Sequence, residues 1–290
     1  MLKRRGFTLV ELIVVIAIVA IISAILFPIF AQAKSQAFQI SWGESARQVA
    51  LSTRLYVDDY DDTVMLPRHN LNAGADASND RTWVQSLLPY TSNFEIFFCP
   101  IDKTRPAQTS IFDPDLSIGD PTARYYEQSQ RTNLGYNYAY FAPIYRDGQN
   151  WKIAPRTISE IENPSGTLLF GDSAWKVKNG VASGGGNYLV IPPCRYQRQS
   201  ATVVDTFVPS SSSNATVQLF ENGLAWSTTS QLWRSEAGGL YPWFKKSLTI
   251  TFLDGHVKQV PLPDVTAGCD VKENWQGFIV DSSRYIWDLK

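Results

Sequence analysis

The hydrophobic pattern divides the chain into three regimes. Residues 7–30 read FTLVELIVVIAIVAIISAILFPIF, an apolar run in which Glu11 is the only charge. A bilayer core of about 30 Å needs about 20 helical residues, so this run can span one. Further on, apolar or small residues recur at Phe38, Trp42, Ala46, Val49, Thr53, Tyr56 and Tyr60. These steps of three and four are the period of a helix with one buried stripe. The two regimes predict a helix from Phe7 to Tyr60, about 80 Å long at 1.5 Å per residue. Pro28 lies inside it, lacks a backbone donor, and is expected to bend or melt the helix locally.

After Tyr60 the helical period fades, apart from short stretches near 83–88 and 157–162. Alternation takes over. Leu248, Ile250 and Phe252 alternate with Thr249 and Thr251, as in a half-buried strand. Asp254-Gly255 follows as a two-residue turn, and Val257 and Val260 continue into a return strand. Other strand candidates are Thr167–Phe170, Tyr188–Ile191, Thr202–Phe207 and Ala215–Phe220. The expectation is an α+β protein: a long N-terminal hydrophobic helix followed by a mostly antiparallel β-sheet globular domain. Residues 176–240 contain Gly184-Gly185-Gly186, Pro192-Pro193 and the Ser210–Ser213 run, and read as an elaboration. It either decorates the sheet or carries surface function.

Bulk properties narrow this little. At 290 residues the chain can build one sizeable core or two small ones. A net charge of −1 gives no global basic field, so nucleic acid is not predicted as a partner. The charge is uneven, however. Lys3, Arg4 and Arg5 precede the apolar run, which predicts that this end stays cytoplasmic. Of the 26 basic residues 23 lie beyond them, against 27 acidic ones, so an exported domain would be mildly acidic. Cys99, Cys194 and Cys269 share no metal-type spacing. An exported domain permits one disulfide and one free thiol, the pair undetermined; three buried thiols remain the alternative.

Three readings of the N-terminus compete. It is a plain anchor, a signal peptide cut near Ala31-Gln32-Ala33, or a leader joined to a functional helix. The run exceeds the apolar core of about 7–15 residues usual in a signal peptide. A carboxylate inside hydrocarbon costs roughly 2.5–3.5 kcal/mol or more, so Glu11 argues for function, and a plain anchor has no use for it.

Arg4-Arg5-Gly6-Phe7-Thr8-Leu9-Val10-Glu11 resembles the processing site of type IV pilins and type II secretion pseudopilins. The resemblance implies that a prepilin peptidase cuts between Gly6 and Phe7 and that Phe7 becomes the N-methylated first residue. Glu11 becomes the family's acidic residue near the mature N-terminus, paired with the Phe7 ammonium of a neighbouring copy. Pro28 takes the place of the family's helix-loosening proline. Residues 1–6 are then the leader, 7–30 the membrane and filament-core helix, 31–62 its amphipathic continuation, and 63–290 the globular domain. The implied partners are copies of the chain in a homo-oligomeric filament, the peptidase, and assembly machinery in the inner membrane. The implied location is the cytoplasmic membrane first, then a periplasmic or extracellular filament.

The body is similar to a large family of prepilin-type proteins with a C-terminal H-x9-DG signature. Its segments occur in order: Ile29–Ala33, Tyr56–Asp62 with Leu66-Pro67, Trp83–Tyr90, Phe98–Asp102, Gly135–Tyr138, Phe170–Ser173 and Phe252–Val257. One departure is plain. The signature's first histidine falls at Phe244.

Candidate chemistry beyond assembly is sparse. His69 and His256 are the only histidines, and neither lies near a cysteine in sequence. Asp254-Gly255-His256 reads as a turn with a flanking surface histidine. No G-x-S-x-G elbow or phosphate-binding glycine loop occurs, and no catalytic residue is assigned. Asp58, Asp59, Asp61 and Asp62 cluster at the expected helix end, where negative charge opposes the dipole. They form either a solvated acidic turn or part of a calcium site. Asn214-Ala215-Thr216 and Ser210–Ser213 are weak glycosylation signals. A rival function is a membrane-tethered ligand- or polysaccharide-binding module that uses Trp226, Trp233, Tyr241 and Trp243 as a stacking surface.

Overall fold

The computed structural model describes residues 8–69, 81–91, 93–106, 126–147, 150–178, 180–207, 216–217, 238–244, 246–272 and 276–289. The chain forms two compact units, 1–41 and 42–290.

One helix, α1 (Leu9–Asp59), runs through the first unit and into the second. Pro28 lies within it and does not end it, contrary to the expected melting. A proline inside a helix removes one hydrogen bond, and the flanking turns keep theirs. The helix begins on a reciprocal cap. The Thr8 N–H and hydroxyl donate to Glu11 Oε2 at 2.8 and 2.7 Å, and the Glu11 N–H donates to Thr8 Oγ1 at 3.3 Å. This is the Ser/Thr-x-x-Glu capping arrangement.

In the second unit α1 buries Trp42, Ala46, Val49, Ala50, Ser52, Thr53, Tyr56 and Val57, the stripe that periodicity predicts. Two aliphatic hydroxyls lie in that buried face. Ser52 and Thr53 donate to the carbonyls of Gln48 and Val49, so neither is stranded. Tyr60 departs from the expectation. It lies past the helix end, is 54% exposed, and stacks on Tyr56 with ring centroids 4.2 Å apart.

After α2 (Trp83–Thr91) the chain is mainly strands. In order they are β1 (Leu134–Tyr136), β2 (Ile144–Asp147), β3 (Asn150–Ile153), β4 (Leu168–Asp172), β5 (Lys176–Lys178) and β6 (Val181–Ser183). They continue as β7 (Cys194–Gln199), β8 (Thr202–Asp205), β9 (Thr216–Val217), β10 (Ser247–Phe252), β11 (Val257–Pro261) and β12 (Gly277–Ile279). The central sheet has the order β1-β4-β10-β11, with all neighbours antiparallel. Smaller sheets are β12-β7-β8, β3-β2-β9 and β5-β6. The β12–β7 pair is parallel.

Trp83 of α2 stacks on Phe170 of β4 at 4.7 Å. It also meets Phe97 at 5.8 Å and Tyr136 of β1 at 6.0 Å. All four side chains are fully buried. The polar ends of the two amphipathic rings find partners, as buried Trp and Tyr require. Trp83 Nε1–H donates to the Tyr188 carbonyl at 2.6 Å, and the Tyr136 hydroxyl donates to the Met65 carbonyl at 3.1 Å.

Three details correct the sequence reading. The β10–β11 turn has three residues, not two. Phe252 N–H donates to His256 O, Gly255 N–H donates to Phe252 O, and Gly255 alone takes positive φ, at 93°. That is a type I turn closed by a glycine bulge, so Asp254 needs no left-handed conformation. Tyr188–Ile191 is not a regular strand. It makes one parallel bridge through Leu189 to Tyr136. Third, the elaboration is partly core, since Leu189, Val190, Ile191 and Cys194 are buried. Cys194 is bonded to Cys269, 75 residues on, and Cys99 is a free, buried thiol.

The C-terminal segment is inlaid rather than loose. Leu168 N–H donates to Ile286 O, Glu162 N–H to Leu289 O, and the Asn137 side-chain amide to Trp287 O.

Candidate functional site

Glu11 and the apolar half of α1 form the first candidate. Gly6 and Phe7, the cleavage and methylation positions, lie outside the described residues. From Leu9 to Phe30 the large apolar side chains stand exposed, from Val15 at 49% to Leu9 at 76%. Among the described residues, α1 is the one helix long and apolar enough to cross a membrane. A soluble surface does not carry sixteen such residues without a cover. The Thr8 contacts aim the Glu11 carboxylate at the start of the helix. Sequence reasoning found Glu11 but not Thr8, although Thr-x-x-Glu is a readable capping signal.

The acidic turn is the second candidate. Asp62 N–H donates to the Val57 carbonyl at 3.1 Å and closes the last turn of α1. Asp61 and Asp62 take left-handed φ values of 50° and 63°. The carboxylates do not converge. Asp59 Oδ2 accepts the Tyr90 hydroxyl at 2.8 Å, and Asp62 Oδ2 accepts the Ser159 N–H at 3.2 Å. Asp58 and Asp61 are exposed. Among the described residues no group of three or more His, Cys, Asp or Glu side chains is placed to hold a metal ion.

At the family-signature turn, Asp254 Oδ1 lies 2.6 Å from His256 Nδ1 and also accepts the His256 N–H at 3.0 Å. Partial burial pushes the Asp254 carboxyl up, but the His256 contacts outweigh it and hold it below its ordinary value. The His256 ring stacks on Phe252 at 4.3 Å. This geometry pins a turn. Phe244, where the signature's histidine would stand, is buried.

The aromatic candidates are split. Trp226 and Trp233 lie outside the described residues. Tyr241 and Trp243 meet edge to face at 4.9 Å and are half-buried. Their polar ends donate to the carbonyls of Gly180 and Ser173, so the rings are tied to their own domain.

Sequence reasoning missed one constellation. Asp172, at the end of β4, is fully buried. Its Oδ1 accepts Trp42 Nε1–H at 2.6 Å, and its Oδ2 accepts the Thr249 N–H of β10 at 2.7 Å. One carboxylate thus ties α1 to the two central strands of the sheet. Burial pushes it up to about 7, against the pull of the Thr249 and Trp42 hydrogen bonds. The available signal was a charged residue directly after the apolar run Leu168-Leu169-Phe170-Gly171.

A long apolar helix with exposed side chains precedes the mostly antiparallel sheets. Residues 1–27 match the family model described as the prokaryotic N-terminal methylation motif. No curated protein and no solved structure matches the chain. The match ends inside α1 and does not reach the domain.

Proposed function

We propose that the chain is a structural subunit of a type IV pilus or type II secretion pseudopilus-like filament. It is cut between Gly6 and Phe7, methylated on Phe7, and assembled by burying the apolar half of α1 against copies of itself. The observation that carries this is the pairing of the methylation motif with an apolar helix half that its own unit leaves uncovered. Membrane first and filament afterwards are the two environments that cover such a surface.

Glu11 supplies register. In the free subunit its carboxylate is satisfied by Thr8. In the filament it exchanges that contact for the Phe7 ammonium of a neighbour. A copy out of register would strand a charge among apolar helices. The Cys194–Cys269 disulfide supports export, because such bonds persist in oxidising compartments. The domain's role is structural, with no catalytic step of its own. The H-x9-DG resemblance of the body stands as part of this reading. It is supported by convergence of the matched segments, since Trp83, Tyr136 and Phe170 pack in one cluster.

Mass spectrometry of the mature N-terminus and electron microscopy of sheared surface filaments test the proposal. N-methyl-Phe7 in filaments is the expected result. A mature chain starting near Ser35, or membrane protein that never enters a filament, refutes it.

A further inference from the structure

The buried stripe of α1 faces its own domain, and the opposite face is open. From Glu44 onward that face presents Glu44, Arg47, Gln48, Leu51, Arg54, Leu55 and Asp58, all exposed. Leu51 and Leu55 on this face are 52% and 53% exposed. Among the described residues the Arg47 and Arg54 guanidiniums make no ion pair or hydrogen bond. The same is true of the Asp58 and Asp61 carboxylates at the helix end. Arg54 and Asp58 stand four residues apart, a spacing at which a helix can pair them, yet they do not meet. This face therefore alternates two unpaired cations with two leucines, and, a short way along, carries two unpaired anions.

We propose that this face is a contact between copies of the chain, in which Asp58 and Asp61 of one copy dock on Arg47 and Arg54 of the next while the leucines lose their exposure. The inference rests on the filament reading given above. Copies drawn from one membrane share an orientation, so neighbours are parallel and offset along the helix axis. Seven residues separate Arg54 from Asp61 and eleven separate Arg47 from Asp58. Arg47 and Asp58 both lie in α1, so their pairing corresponds to an axial offset of roughly 17 Å, with Asp61 just past the helix end. A face of one sign would repel its copy at every offset. This face is charge-matched only when shifted, so it selects a stagger as well as a partner. It also explains why an acidic cluster at a helix C-terminus is tolerated against the dipole. Tyr90 and Ser159 serve Asp59 and Asp62 within the chain, and the neighbour's guanidiniums serve Asp58 and Asp61.

The test uses the full precursor, leader included, in a host that supplies a prepilin peptidase and assembly machinery. Sheared-filament yield is measured at equal membrane levels of subunit. Arg47→Glu/Arg54→Glu and Asp58→Lys/Asp61→Lys are each expected to lower the yield by about tenfold or more, and the combined variant to recover to within about threefold of wild type. Co-expressed Arg54→Cys and Asp61→Cys chains are expected to form covalent dimers in filaments on mild oxidation. Undiminished yields in the reversals, or a combined variant no better than either, overturns the contact while leaving the filament reading intact. If the wild-type chain forms no filaments, the filament reading falls and this contact with it. Because Arg54 and Asp58 stand four residues apart in one helix, the combined variant can also restore a pair within the chain; covalent dimers between the Arg54→Cys and Asp61→Cys chains separate the two, and their absence from filaments overturns the contact.

Discussion

Replacing Asp172 by asparagine tests the carboxylate that ties α1 to the central sheet. Both its oxygens accept buried N–H groups, from Trp42 and Thr249. An amide nitrogen cannot accept, so one donor is left buried without a partner, at a cost of about 1–3 kcal/mol. Burial pushes the Asp172 carboxyl up to about 7 from an ordinary 3.8. A carboxyl raised in this way holds its proton more tightly when folded than when unfolded. Its contribution to stability therefore falls as pH rises from about 4 to about 7 and is level above that. At 1.36 kcal/mol per unit, the fall is on the order of 4 kcal/mol at most. Wild type is thus the more stable at pH 5, by about 1–3 kcal/mol, and Asp172→Asn matches or exceeds it at pH 8. Urea unfolding of the full chain in mild detergent, followed by tryptophan fluorescence, reads this directly, since Trp42 and Trp83 are fully buried. The same gap between the two proteins at both pH values would refute the reasoning.

Four further outcomes are expected. Cys194→Ser/Cys269→Ser frees a loop of 75 residues and lowers stability by roughly 4 kcal/mol on the chain-entropy account, with reductant reproducing the loss in wild type. Asp61→Gly relieves a left-handed conformation at φ 50° and removes a carboxylate from the negative end of α1, so the unfolding free energy rises by about 1 kcal/mol. Gly186→Ala places a methyl 2.0 Å from the Thr132 carbonyl oxygen and 2.4 Å from Asn133 Cα, and is expected to cost about 3 kcal/mol. Gly43→Ala meets nothing within 4 Å and gains about 1 kcal/mol of helix propensity in the same denaturation series.

The sequence by itself determined the features that depend on neighbours along the chain. An unbroken apolar run, a leader-like cluster and a single carboxylate marked the N-terminal helix, because length and hydropathy are local quantities. The Trp42–Tyr56 stripe followed from the 3.6-residue period, and β10 and β11 followed from alternation and a glycine turn. Tertiary structure alone decided whatever depended on distant segments meeting. Asp172 reads as a surface charge until α1 and β10 close over it from 130 and 77 residues away. Cys194 is one of three equivalent cysteines until the chain brings Cys269 to it. Tyr188–Ile191 looks like a strand, but beside the edge strand β1 it makes only one parallel bridge, from Leu189 to Tyr136. Local pattern fixes which face of an element seeks burial. Which partner buries it is set by competition among all the segments, and no single window of sequence contains that competition.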